Sequence, residues 1–281
     1  VLQAQSQLGE AVEAYKRALK LKPDFAEAYN NLGSTYADQG ELDQAIEVYV
    51  KALSLKGDYF SAHYNLGSAL RLQGRLDEAV EAYTNALSLK PDHFETCNNL
   101  GLVYRDQGHF DKSVAAYDRA LSLNPHSADI YNSLGTTLKK QGKFAEAIEA
   151  CEKALLFNPD YAQAYNNKGS VFAEWGRLDD AIAAYSIAIS LKSDYAEAHN
   201  SLGSAYANQE KLDKALAAYE RALVLNPEFA EAYSNKATVL AEQDRKDEAI
   251  ATYSKSLSLE FNLAARSNEC HQQAGICDWS S

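Results

Sequence analysis

Nowhere in these 281 residues do about twenty apolar side chains run together, so no membrane span is expected. Cysteine is sparse. Cys97, Cys151, Cys270 and Cys277 stand far apart with no C-x-x-C pair, which argues against a disulfide framework and for a reducing intracellular compartment, cytoplasmic or nuclear. Basic charge is also short: 27 Lys and Arg face 39 Asp and Glu, a net charge of -12 and a pI near 5.0. That balance argues against nucleic acid or an anionic membrane surface as the main partner, because both are held chiefly through positive charge. Proline is rare as well, with only five in the chain, and their positions reveal the organisation.

Pro23, Pro91, Pro125, Pro159 and Pro227 are separated by 34 residues or by 68, and Gly57 and Ser193 fill the two skipped slots. Eleven of the fourteen glycines obey the same register, in one column at 33, 67, 101, 135, 169 and 203 and another at 40, 74, 108, 142 and 176. A fixed period of this length marks a repeat architecture before any local pattern is considered. With Ala26 as position 1, complete repeats begin at residues 26, 60, 94, 128, 162, 196 and 230.

Within each repeat, positions 4, 7, 8 and 11 carry one helical face, as in Tyr29, Leu32, Gly33 and Tyr36. Positions 20, 24, 27 and 28 carry a second, as in Ala45, Tyr49, Ala52 and Leu53. Glycine at position 15 suits the end of the first helix, and proline at position 32 cannot continue the second. Small residues at 8, 20 and 27 let helices approach closely while Tyr, Phe or Leu at 4, 11 and 24 fill the remaining space. Departures gather near the C-terminal end, where Glu210 and Asp244 replace the position-15 glycine and Phe261 replaces the proline.

The run Tyr29-x2-Leu32-Gly33-x2-Tyr36, then Ala45-x3-Tyr49-x2-Ala52, then the proline slot at 57, resembles the tetratricopeptide-repeat signature. The resemblance implies an all-α fold, a right-handed superhelical solenoid of antiparallel helix pairs with the first helix of each pair lining a concave groove. The domain organisation expected is a partial repeat over 1–25, seven complete repeats over 26–263, and over 264–281 a partial helix and the start of a linker toward a further region. Residue 1 falls at position 10 of a repeat, so the chain reads as a fragment that starts inside a first helix.

Two columns on the first helix are unexpectedly amide-rich. Position 6 reads Asn31, Asn65, Asn99, Ser133, Asn167, Ser201, Asn235, and position 5 reads Asn30, Tyr64, Asn98, Asn132, Asn166, Asn200, Ser234. Asn is disfavoured in a helix by roughly 0.5–0.7 kcal/mol against Ala, so the columns need a return. A carboxamide both donates and accepts, as a peptide unit does. Stacked at roughly 10 Å per repeat, seven rungs give about 70 Å of groove, enough for about twenty extended residues. An extended polypeptide held by its backbone is the expected partner. The alternative is that each amide simply bonds the neighbouring repeat. Position 12 adds Arg71, Arg105 and Lys139 in three consecutive repeats, which suits either a helix C-terminal dipole or an acidic ligand segment. The two-carboxylate clamp of some relatives needs Lys and Arg at positions 2 and 6, and no complete repeat here has a basic residue at either.

No catalytic residue, cofactor or metal site is expected. His63 and His199 fall at position 4, a core slot; His93, His109 and His126 fall in turns; Cys97 and Cys151 read as small core fillers. In the tail, Cys270, His271 and Cys277 match no standard zinc spacing and lack a fourth ligand. His271 followed by Cys277-Asp278-Trp279, with Asn268 in step, resembles the segment after the last repeat in the O-linked N-acetylglucosamine transferases and the Spindly-type O-fucosyltransferases. That resemblance implies a parent protein transferring sugar from UDP-GlcNAc or GDP-fucose, with the present repeats choosing protein substrates and catalysing nothing themselves. The competing expectation is a scaffold assembling a multiprotein complex. A repeat fragment without a dedicated partner is the third reading, and homodimerisation through the convex face is a further expectation.

Overall fold

The computed structural model describes the backbone of residues 2–276 and the side chains of residues 7–261. All regular structure among them is α-helical. After α1 (Leu2–Leu21), seven first-and-second helix couples follow in sequence: α2 (Ala26–Asp38) and α3 (Leu42–Leu55), α4 (Phe60–Leu72) and α5 (Leu76–Leu89), α6 (Phe94–Asp106) and α7 (Phe110–Leu123), α8 (Ala128–Lys140) and α9 (Phe144–Phe157), α10 (Ala162–Glu174) and α11 (Leu178–Leu191), α12 (Ala196–Asn208) and α13 (Leu212–Leu225), α14 (Ala230–Glu242) and α15 (Lys246–Ile276). The chain forms two compact units, Val1–Lys143 and Phe144–Ser281. The division falls inside the fourth repeat, the one whose position-24 tyrosine is replaced, by Cys151. Inside each unit every helix packs on its neighbours in sequence, the antiparallel helix-pair packing that the spacing anticipates.

The turn that closes each first helix has a single chemical cause. Gly40 adopts φ of +80°, its N–H bonds the Ala37 carbonyl, and the next N–H, of Glu41, reaches back to the Tyr36 carbonyl at 2.9 Å. This paired closure, which needs a left-handed residue, recurs with Gly74, Gly108, Gly142 and Gly176. Glu210 and Asp244 hold the same conformation, at φ of 59° and 60°, despite their Cβ atoms. The turn therefore survives the substitutions that the sequence marks as departures, at a conformational cost of about 1–2 kcal/mol each.

The core of five of the seven complete repeats is a tyrosine ring laid on bare backbone. A Cβ on Gly33 would stand 2.5 Å from the Tyr49 ring, and Gly67, Gly101, Gly169 and Gly203 meet Tyr83, Tyr117, Tyr185 and Tyr219 in the same way at 2.6–2.8 Å. These rings are buried, and burial pushes their hydroxyl pKa up, that of Tyr185 to about 12. Their hydroxyls pair with position 9: Tyr49 donates to Ser34, Tyr219 to Ser204, and Tyr83 shares a hydrogen bond with Ser68. Tyr117 differs because its position-9 neighbour is Leu102; its buried oxygen has no partner at bonding geometry, although Ser113 and Thr137 lie nearby. Around the rings, the alanines at position 20 and at position 27 are buried in each unit. Where serine replaces them its hydroxyl is capped by a carbonyl: Ser113 donates to Gly101 at 2.7 Å and Ser256 to Ala230 at 2.8 Å.

Four details depart from the spacing-based expectations. Position 4 is a half-buried slot in every complete repeat except the third, where Cys97 is buried, so His63 and His199 are not core residues. Positions 3 and 10 belong to the core instead, as Ala28, Thr96 and Val103 show. The helix α1 runs unbroken through residue 6, where the register places Ser6 at the turn position. Likewise α15 runs on to Ile276 through Phe261 at the proline position.

The left-handed carboxylates give a direct test. Replacing Asp244 by Gly should raise stability by about 0.5–1 kcal/mol in urea unfolding with an unchanged m value, since relief of strain exceeds the added chain entropy. Gly67→Ala should lose about 1–3 kcal/mol by overpacking against Tyr83.

Candidate ligand-binding face

Positions 5, 6, 9 and 12 of the first helices form the face to which the sequence assigned binding. Each residue's place follows from the tyrosine packing below it, since seating position 8 on position 24 of the same repeat turns positions 5 and 9 to the margin of the core. Asn30, Asn132 and Asn200 at position 5 are accordingly buried, while Asn98 and Asn166 are half-buried. At position 6, Asn31 is exposed and Asn65, Asn99, Asn167 and Asn235 are half-exposed.

The amides are ordered by one another. Asn65 Nδ2 donates to Asn30 Oδ1 at 3.1 Å, and Asn235 Nδ2 to Asn200 Oδ1 at 3.1 Å. Asn99 Nδ2 makes the equivalent bond, at 3.2 Å, to the hydroxyl of Tyr64, which replaces asparagine at position 5. Each bond joins position 6 of one repeat to position 5 of the repeat before. At about 1 kcal/mol net, such a bond roughly offsets the helix penalty of the two asparagines that make it. The rule predicts its own exceptions. Asn98 and Asn166 precede Ser133 and Ser201, which are too short to reach back, and in both the buried Oδ1 accepts nothing. What the ladder leaves over is acceptor capacity: no protein donor meets Oδ1 of Asn65, Asn99 or Asn235.

The cationic column is partly spent. Arg105 donates to Asp106 at 2.9 Å, and Arg71 stands 3.9 Å from the other oxygen of the same carboxylate. Two guanidinium groups thus share one negative charge, with Lys139 next in the column and half-buried. In Phe144–Ser281, Lys168 and Lys236 occupy the apolar position 7, and each reaches a position-25 carboxylate, Glu152 at 2.7 Å and Glu220 at 2.9 Å. No group of His, Cys, Asp and Glu among the described residues is gathered as for a metal ion. The side chains of Asn268, Cys270 and His271, and the Cys277-Asp278-Trp279 motif, lie outside the described residues.

A second inter-repeat bond went unread in the sequence. Gln at position 14 donates to Asp at position 18 of the preceding repeat five times, Gln73 to Asp43, Gln107 to Asp77, Gln141 to Asp111, Gln209 to Asp179 and Gln243 to Asp213, at 2.6–2.9 Å. The signal was available in paired columns: the single Asp→Ala change, Ala145, is matched by the single Gln→Trp change, Trp175. There an aromatic contact replaces the polar one, with Trp175 stacked on Phe144 at 6.2 Å and Arg177 over its ring.

A family model describing the C-terminal domain of cilia and flagella-associated protein 70 matches residues 57–275, and a tetratricopeptide-repeat model matches residues 1–40 and 33–70. The chain belongs to this family of tetratricopeptide-repeat domains. No curated protein matches it. Among solved structures, a tetratricopeptide-repeat protein from Parabacteroides merdae is similar with a TM-score of 0.73 at 22% identity, over 83% of this chain and 93% of that one. The APC/C hetero-tetramer Cut9–Hcn1 gives 0.67 at 18% identity over 84% of this chain, which spans only 46% of its match. YrrB, described as a tetratricopeptide-repeat protein with an unusual peptide-binding site, gives 0.55 at 24% identity over 66% of this chain and 96% of that one.

The pairing rule is testable in one substitution. Ser133→Asn should supply the missing donor to Asn98 Oδ1 and stabilise the repeat array by about 0.5–1.5 kcal/mol, measured by urea unfolding. The gain should vanish in an Asn98→Ala background.

Proposed function

We propose that this chain is a protein-interaction module that holds an extended polypeptide along its first helices. The carrying observation is the ordered amides within each unit: in Val1–Lys143 the N–H groups of Asn65 and Asn99 are tied to the preceding repeat while their Oδ1 atoms meet no donor among the described residues, and Asn235 repeats the arrangement within Phe144–Ser281. An acceptor fixed by its own donor is pre-organised, and backbone N–H groups of an extended chain are its natural complement. Asn31, at 6, and Asn30, Asn98, Asn132, Asn166 and Asn200, at 5, set the column's spacing; the unsatisfied oxygens of Asn98 and Asn166 are buried and out of a ligand's reach. Arg71 and Arg105 share the single carboxylate of Asp106, which supports a preference for acidic segments. A groove of this kind is the reading the resemblance implied.

Immobilised 20-residue peptides of varied sequence test this. Capture should tolerate side-chain changes, favour acidic peptides, and fall about a hundredfold or more when Asn31, Asn65, Asn99 and Asn235 are all changed to Ala, since several bonds of about 1 kcal/mol are lost. Arg71→Glu with Arg105→Glu should remove only the acidic preference. Undiminished capture by a quadruple variant that remains folded by circular dichroism overturns the reading.

What the module serves is a finer question. The tail residues His271 and Cys277-Asp278-Trp279 favour selection of substrates for a protein O-glycosyltransferase, and a scaffold within a multiprotein complex is the alternative. A gene product extended beyond Ser281 should, on the first reading, transfer label from UDP-GlcNAc or GDP-fucose to protein only while these repeats are present. Absence of transfer with both donors leaves the scaffold.

A further inference from the structure

The third repeat lacks a ring that the other complete repeats possess. Position 4 is Tyr29, His63, Tyr131, Tyr165, His199 or Tyr233 elsewhere, and Cys97 here. Those rings are half-buried, whereas Cys97 is 1% exposed, so the thiol sits at the foot of the slot and leaves its outer part open. The structure has a depression of about 280 Å³ at this place, walled by Leu87, Leu100, Tyr104 and Ala116. Burial pushes the Cys97 thiol pKa up, so the sulfur stays neutral and behaves as part of an apolar floor.

The slot has a polar end as well. In the second repeat, His63 donates from Nε2 to the Gly57 carbonyl at 2.9 Å, position 32 of the repeat before. In the sixth, His199 lies beside the equivalent backbone of Ser193 and beside Arg221 at position 26. In the third, the equivalent carbonyl belongs to Pro91, and with no ring to meet it, it accepts from the Arg119 guanidinium at 2.7 Å. Arg119 is itself the position-26 residue and lines the depression together with Lys112, whose ammonium stands over the Tyr104 ring at 5.5 Å. An apolar depression with two cations at its rim, one of them bonded to the Pro91 carbonyl, is therefore assembled from three helices and the loop that precedes α6.

We infer that this depression is a receptor for an aromatic side chain that carries a hydrogen-bond donor, namely a tyrosine of a partner protein with a carboxylate close to the ring. The ring takes the place that Tyr or His fills in the other repeats, against the Cys97 sulfur and the leucine walls. Its hydroxyl donates to the Pro91 carbonyl. Arg119, displaced from that carbonyl, turns with Lys112 to the partner's carboxylate, so the charge that caps the empty slot becomes charge that recognises the occupant. The volume admits one ring with room beside it for the neighbouring carboxylate, and the charge complementarity disfavours a basic neighbour. The inference stands apart from the amide column, because a probe with no peptide backbone suffices to examine it.

The probes are 3-(4-hydroxyphenyl)propionate, which joins a phenol to a carboxylate, and 4-methylphenol, which lacks the charge. With the full chain labelled at leucine methyls, the first should cause saturable shifts at Leu87 and Leu100 at millimolar concentration, weakening with added salt. The second should bind severalfold more weakly. Cys97→Tyr and Cys97→His, each restoring a residue native to other repeats, should abolish both sets of shifts because the slot is then filled in cis. Absence of shifts up to tens of millimolar, or shifts that persist in both folded variants, overturns the proposal. Equal affinity for the two probes overturns the acidic requirement.

Discussion

Five of the seven complete repeats depend on one contact, the flat face of a tyrosine at position 24 resting on the backbone of the first helix at a glycine. No other residue pair sets the separation of the two helices so tightly, because neither a flexible side chain nor a water layer intervenes. The seventh repeat shows what happens when the seat is altered. Ala237 stands where glycine does in the others, and Tyr253 is 38% exposed, against 3% or less for the rings seated on glycine. The added methyl, together with the lack of a further described helix packed over α15, leaves the ring nearer the surface, where its hydroxyl meets Thr238.

That contact also decides what the surface can do. With position 8 fixed inward, the amides at 5 and 6 come within reach of those in adjoining repeats, and their donors are used before any ligand arrives. On the proposed reading the amide column is neither purely structural nor wholly reserved for a partner. It is a scaffold whose donors hold its acceptors still, which costs a ligand less ordering than a set of mobile side chains would. The same economy governs Arg71 and Arg105, which are steadied by Asp106 instead of extending into water.

Much of this was legible from the sequence because a 34-residue period writes each constraint seven times. The glycine and tyrosine columns, the turn glycines and the helix boundaries all announce themselves through side-chain types that have few alternative explanations. Partnerships were harder to read. That Asn65 answers Asn30 requires knowing that neighbouring repeats are offset so that residues 35 apart meet, and that Gln73 answers Asp43 requires an offset of 30. Neither offset appears in a column read by itself. Positions 3 and 10 were missed because alanine and threonine look indifferent to burial in a composition-based reading, yet they sit where helices crowd most closely. Position 4 misled in the opposite sense, its aromatic character suggesting a core slot where the rings in fact lie half at the surface.

The Gln–Asp clasp carries a consequence for how such a chain changes length. Each clasp draws one partner from either side of a repeat boundary, so excision or duplication of any 34-residue block rejoins a glutamine to an aspartate and orphans nothing. Only one junction violates this freedom. An insertion that parted Ala145 from Trp175 would set an indole against a carboxylate on one side and leave a glutamine facing alanine on the other. In the currency of gene rearrangement, residues 145 and 175 are linked markers: the two must be inherited together, while repeats elsewhere can be gained or lost singly.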